Sequence, residues 1–235
     1  MIGRNAGSTT LGFTNTGLGR SVLHNLNGIP GLEAGNNTCA GYASGISITT
    51  GNSNTALGAQ SLNGPLTGND NLGLGVNAGT NYTGAESFNI LIANQGVNGE
   101  SNTIRIGDSG NQNRCHIAAI FGVTVVGAAV LCDSTGLLGT VASSERFKED
   151  IHSIKESTIL NLRPVSFKYK AEKEKLTHYG LIAEEVEKVF PELVLYEQDK
   201  TTPHSIKYHE MDVLLLVEIQ KLRKELDELK RTLIL

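Results

Sequence analysis

Through the first 110 residues, apolar side chains arrive in short triplets, each behind an asparagine and ahead of a small residue. The series runs Asn15-Thr16-Gly17-Leu18-Gly19, Asn37-Thr38-Cys39-Ala40-Gly41, Asn54-Thr55-Ala56-Leu57-Gly58, Asn71-Leu72-Gly73-Leu74-Gly75 and Asn89-Ile90-Leu91-Ile92-Ala93, with Asn102-Thr103-Ile104-Arg105-Ile106 as a variant. Its asparagines are spaced 22, 17, 17, 18 and 13 residues apart. A near-constant period of this length marks an architecture in which each unit stacks on the next. Each unit reads as a short strand followed by a Gly/Asn turn that needs positive φ. Leu18, Leu57, Leu74, Ile90, Ile92, Ile104 and Ile106 are expected to form the stacked apolar set, and the asparagines to form ladders that satisfy turn backbone. So few apolar residues per unit cannot close a core in one chain, so burial is expected from stacked coils and from neighbouring chains.

Residues 111–142 change texture. Cys115 to Leu131 is rich in β-branched residues punctuated by glycine, which predicts short strands. Asp133-Ser134-Thr135-Gly136 is a turn and Leu137 to Val141 a last strand. These strands are expected to be shared between chains; the plainer alternative is a hairpin within one chain.

From residue 143 the periodicity becomes helical in part. A short helix is expected before Leu162, ended by Arg163-Pro164. Val165 to Tyr169 alternates as a strand, with Tyr179 to Ile182 as its partner across a charged loop. Ile182, Val186, Val189 and Phe190 share a helical face stopped by Pro191. Leu193 to Tyr196 and Ser205 to Tyr208 read as a second hairpin. In the final helix, residues 210–235, Leu215, Ile219, Leu222, Leu226, Leu229 and Leu233 are spaced 4, 3, 4, 3 and 4, a heptad seam with Ile219, Leu226 and Leu233 at a. Glu218 at g then faces Arg223 at e of a neighbouring chain, and Glu225 faces Lys230, which favours parallel, in-register association.

Composition sharpens the division into 1–110, 111–142 and 143–235. Of 27 glycines only Gly180 follows Ser143; residues 1–142 carry 10 charges and no lysine, and residues 143–235 carry 34. A net charge of −4 with neither half basic gives nucleic acid no electrostatic footprint. No apolar run is long enough for a membrane span and no signal peptide opens the chain, so a soluble protein is expected. Cys39, Cys115 and Cys132 are odd in number and lack zinc spacing, so neither a disulfide framework, a metal nor a cofactor is expected.

The chemistry concentrates at the junction, where Ser143, Arg146 and Lys148 stand as S-x-x-R-x-K. A serine hydroxyl needs a neighbouring base to attack a carbonyl. Lysine can be that base once burial or a nearby cation lowers its pKa. Arg146 could be that cation, or could donate hydrogen bonds to a developing oxyanion. The carbonyl next to Ser143 is that of Ala142, so the expected reaction is self-cleavage of the Ala142-Ser143 bond. A serine ahead of a charged segment is also a common helix N-cap. His178, His204 and His209 are expected bystanders, with His178 nearest the site.

Three blocks carry a resemblance: Ser143-Ser144-Glu145-Arg146-Phe147-Lys148-Glu149-Asp150-Ile151, Leu162-Arg163-Pro164-Val165-Ser166-Phe167-Lys168-Tyr169, and Tyr179 to Val186 followed by Phe190-Pro191-Glu192-Leu193-Val194. Together, residues 143–235 resemble the C-terminal intramolecular chaperone of phage endosialidases, tail fibres and neck appendages. The resemblance implies an α+β chaperone domain that drives trimerisation of the preceding segment and then cuts itself off through a Ser-Lys dyad, Ser143 and Lys148. Ser144 stands where the family often has Asp, and Glu184 where it often has Gln. The repeat in turn resembles the trimeric left-handed parallel β-roll of bacterial adhesin heads and viral fibre shafts. The two resemblances together imply a homotrimeric virion fibre or appendage, made in the host cytoplasm, whose shaft could meet a host-surface receptor or glycan. The alternative is a permanent structural or adhesive trimer that is never cleaved.

Overall fold

The computed structural model describes residues 1–7, 14–26, 34–154 and 159–233. It divides into two compact units, Met1–Gly122 and Val123–Leu235.

The first unit is a parallel β-solenoid. Six three-residue strands, β1 (Thr16–Leu18), β2 (Thr38–Ala40), β3 (Thr55–Leu57), β4 (Leu72–Leu74), β5 (Ile90–Ile92) and β6 (Ile104–Ile106), stack in chain order into one sheet. All five pairings are parallel and in register, so Leu18, Ala40, Leu57, Leu74, Ile92 and Ile106 form one column. Strand geometry sends alternate side chains to opposite faces, so only the middle residue of each triplet can point into the coil. Those residues are Gly17, Cys39, Ala56, Gly73, Leu91 and Arg105, mostly small. The bore leaves no more room: a Cβ at Gly73 would lie 2.5 Å from Ser61 Oγ and 3.0 Å from Leu62 Cγ. The expected apolar set therefore stacks on the outer face of the coil, with Leu18, Leu57, Leu74, Ile90, Ile104 and Ile106 between 37% and 69% exposed. The interior is filled from the connecting turns, by Val22, Leu23, Leu26, Ile48, Leu62, Leu66, Ala78 and Tyr82.

Two polar devices hold the coils in register. Asn37, Asn54, Asn71 and Asn89 are buried, and each carboxamide oxygen accepts the backbone N–H of the next ladder position: Asn54 N to Asn37 Oδ1 at 2.9 Å, Asn71 N to Asn54 Oδ1 at 3.0 Å, Thr103 N to Asn89 Oδ1 at 3.0 Å. Each Nδ2 donates to a turn carbonyl, as Asn54 does to Gly68 O at 3.0 Å. Thr103, not Asn102, occupies the last rung, because Ile90 pairs with Ile104; Asn102 takes the left-handed corner one residue earlier, at φ 60°. The second device is a glycine column. Gly19, Gly41 and Gly58 adopt φ near +135°, and a Cβ on any of them would come within 2.4–2.5 Å of a glycine carbonyl oxygen in the next coil.

At β6 the bore is closed by charge. Arg105 takes the inward place that Leu91 holds one coil earlier, and its Nε and Nη2 donate to Glu100 at 2.9 and 2.7 Å. Glu100 also accepts from Tyr82 Oη at 3.0 Å and Val97 N at 2.9 Å.

From the end of the first unit into the second, the expected strands between Cys115 and Ala129 are absent, and Phe121, Val125 and Val126 are bare to solvent. A three-residue strand cannot hold its backbone without a partner. What forms is an antiparallel hairpin within the chain, β7 (Val130–Cys132) with β8 (Leu138–Thr140), turned by Asp133, whose Oδ1 accepts from Thr135 N, Thr135 Oγ1 and Leu137 N. Of the helix expected ahead of Leu162, the described residues show a 3-10 turn, Ile159–Asn161, and 155–158 lie outside the described residues. β9 (Val165–Phe167) pairs antiparallel with β10 (His178–Gly180), α1 spans Ala183–Val189, and β11 (Val194–Tyr196) pairs with β12 (Pro203–Ile206). The final helix, α2 (Tyr208–Leu233), begins two residues earlier than expected. The core here is Ile159, Val186, Leu193, Val194, Ile206 and Leu214.

Candidate catalytic junction

Five residues separate Ser143 from Lys148, enough to hold them about 17 Å apart on an extended chain. A 3-10 turn over Glu145–Phe147 removes that distance, with Phe147 N donating to Ser144 O at 3.1 Å and Lys148 N to Glu145 O at 2.9 Å. The turn brings Lys148 Nζ to 3.3 Å from Ser143 Oγ. Ser144, not Ser143, occupies the N-cap, and its side chain makes no capping bond. Ser143 is thus left to Lys148.

The other members of the site are less committed. Arg146 lies over its neighbour's ring, its Cζ 4.7 Å from the Phe147 centroid, a cation–π contact. Ala142, Ser143, Arg146, Phe147 and Lys148 are all exposed in the single chain, which leaves no dry pocket around the hydroxyl.

The two other sequence blocks build a scaffold. Arg163 Nε donates to Glu185 Oε2 at 3.0 Å, tying the approach to β9 onto α1; hydrogen bonding to its partner raises the guanidinium and lowers the carboxyl from their ordinary values. Tyr196 Oη donates to Glu187 Oε1 at 3.0 Å, joining β11 to α1. Gly180 has a specific job: a Cβ there would lie 2.8 Å from the Tyr208 hydroxyl, which accepts the Leu181 N–H at 3.0 Å and so anchors the start of α2 to β10. Sequence reasoning missed Tyr208, although the lone glycine of a charged domain was the available signal. His178 stacks on Phe167, meets Tyr169 at a 59° tilt and sits 2.9 Å from Glu172 Oε2, in the β9–β10 hairpin.

The seam residues Leu215, Ile219, Leu222, Leu226, Leu229 and Leu233 are 43% to 83% exposed. α2 packs on its own unit through Leu214 and Met211, a different stripe. Glu218, expected at g opposite Arg223 of a neighbouring chain, is 4% exposed within the single chain. Among the described residues no helix is long and apolar enough to cross a membrane, and no three acidic, His or Cys groups could hold a metal ion.

Residues 143–195 match the sequence model of the family described as chaperone of endosialidase. The match opens on Ser143 itself and ends within β11, so it covers the junction, both β9–β10 strands and α1. No curated protein and no solved structure matches the chain.

Proposed function

We propose that this chain is a fibre-type protein whose C-terminal module assembles three copies and then releases itself by cutting the Ala142-Ser143 bond. The 3.3 Å approach of Lys148 Nζ to Ser143 Oγ, at the residue where the family match begins, carries the reading. The outward apolar column of the solenoid and the bare seam of α2 support self-association, since exposed apolar stripes of that length mark interaction surfaces.

The proposed reaction runs through that pair. Neutral Lys148 takes the Ser143 hydroxyl proton as Oγ attacks the Ala142 carbonyl carbon. The tetrahedral intermediate collapses with cleavage of the C–N bond, the nitrogen taking the proton back from Lys148. An ester now joins Ala142 to Ser143 Oγ, and water hydrolyses it to a carboxylate at Ala142 and a free Ser143. Lysine surrounded by water keeps its proton at neutral pH. Covering by neighbouring copies would desolvate the amine and favour its neutral form, so cleavage would follow assembly.

The purified chain should therefore convert to two fragments on a denaturing gel, and Ser143→Ala or Lys148→Ala should block conversion while leaving the oligomer intact. Leu222→Arg with Leu226→Arg should block both. Cleavage that persists in a monomeric seam variant would sever the link to assembly. Full-length chain in every sample, with an intact oligomer, would favour a permanent trimerisation module.

A further inference from the structure

Among the described residues of the second unit, Glu218 is the charged residue that is buried. It is 4% exposed, on the turn of α2 that follows Leu214, the helix's contact with its own core. Among the described residues its carboxylate has no hydrogen bond and no ion pair. Its carboxylate keeps a small opening to solvent, since among the described residues no fully buried side-chain oxygen lacks a partner. A neighbouring helix laid along the seam would seal that opening, and a carboxylate sealed without a cation is costly.

The heptad register identifies where that cation is. With Ile219 at a and Leu222 at d, Glu218 is at g, directly beside the bare seam, on the side where α2 meets its own core. In a parallel coiled coil a g residue lies against the e residue five positions later on the neighbouring helix. That residue is Arg223. Within its own chain Arg223 is held only loosely, 3.2 Å from Asp227 Oδ2 across one exposed turn, with its side chain 74% exposed. An antiparallel pairing would set Glu218 against other g positions, Met211, Glu218, Glu225 or Thr232, none of them a cation, and a parallel pairing shifted by one heptad would bring Lys230 instead of Arg223 while leaving a heptad of the seam bare.

We propose that Glu218 is completed by Arg223 of a second copy of this chain, so that one half-buried ion pair per interface fixes the parallel direction of the assembly in the register that buries the whole seam. The proposal rests on the reading that copies associate through α2. A pair shielded on one side by each chain's own core is worth more than the exposed Glu225–Lys230 pair of the same helix.

The test uses the full chain carrying Ser143→Ala, so that it stays in one piece, with sedimentation equilibrium as the readout. Arg223→Glu, an exposed site where folding is not at risk, should raise the concentration for half-assembly about tenfold or more by setting two carboxylates together. Adding Glu218→Gln should recover most of that loss, and Asp227→Asn should change assembly by less than about twofold. An Arg223→Glu defect that is equally large in the Glu218→Gln background overturns the pairing, as does assembly indifferent to Arg223→Glu. A parent chain that is monomeric at all concentrations instead removes the association on which the proposal rests.

Discussion

Asn54→Ala is the most informative single perturbation of the solenoid. Asn54 is fully buried at the middle of the ladder. Its Oδ1 accepts from Asn71 N and Asn71 Nδ2, both at 3.0 Å, and its Nδ2 donates to Gly68 O at 3.0 Å and to Asn37 Oδ1 at 3.1 Å. Alanine at 54 leaves the Asn71 N–H, one Asn71 amide hydrogen and the Gly68 carbonyl without partners in a dry interior. The Asn37 oxygen keeps the backbone N–H of residue 54 and is spared. An orphaned buried group costs about 1–3 kcal/mol. Three of them, eased by water entering the space of the lost carboxamide, give a loss of about 3–5 kcal/mol, a large share of a marginal stability of roughly 5–15 kcal/mol. Urea unfolding followed by circular dichroism at fixed protein concentration measures it. Asn98→Ala is the control, since Asn98 is exposed and accepts only from Thr83 Oγ1; it should cost below about 0.5 kcal/mol. Two variants within about 0.5 kcal/mol of each other would refute the ladder as a principal source of stability.

Gly41→Ala should destabilise by about 2 kcal/mol or more, because φ is +135° and the added Cβ would sit 2.5 Å from Gly58 O; a melting temperature equal to wild type would contradict it. Acid should weaken the solenoid at its Arg105 end. Burial would raise Glu86 and Glu100, but hydrogen bonds from Gly99 N, Thr83 N and Gly84 N to the first, and from Arg105, Val97 N and Tyr82 to the second, outweigh it and hold both below the ordinary 4.5. Carboxyls depressed in the folded state give stability that is full above the unfolded value and lost as pH falls through the folded one. Melting temperature should thus fall below about pH 4.5, less steeply in Glu86→Gln/Glu100→Gln; a rise on acidification would reverse the sign. Burial pushes the Cys39 thiol up to about 12, so native protein should leave Cys39 unlabelled by a thiol reagent that modifies it once denaturant is added.

How much of the molecule was legible in the sequence depends on which physical rule decided each residue. Period, strand triplets and the asparagine ladder follow from recurrence alone. Which face of a triplet points inward did not, because hydrophobicity singles out Leu18, Leu74 and Ile106 while the narrow bore takes the middle residues, small at Gly17, Cys39, Ala56 and Gly73 and large only from Leu91 on. The misplaced rung at Asn102 has a similar origin: residue identity suggested asparagine, whereas strand pairing put Thr103 there. In the second unit, helix α1 and both hairpins were readable from period and from Pro164 and Pro191. Heptad position put Glu218 at g beside the seam, but that its own chain already covers it to 4% exposure is visible only in the structure. The Ser143–Lys148 approach needed the 3-10 turn, which spacing alone does not specify.

Whether the chain cuts itself is read from the intact mass of the wild-type protein, incubated at neutral pH and measured under denaturing conditions. Two species, residues 1–142 ending in a free carboxyl at Ala142 and residues 143–235 beginning at Ser143, are the expected result. A single species at the full 25.0 kDa, in a sample that is assembled in native solution, would show that assembly does not trigger cleavage and that the module is permanent.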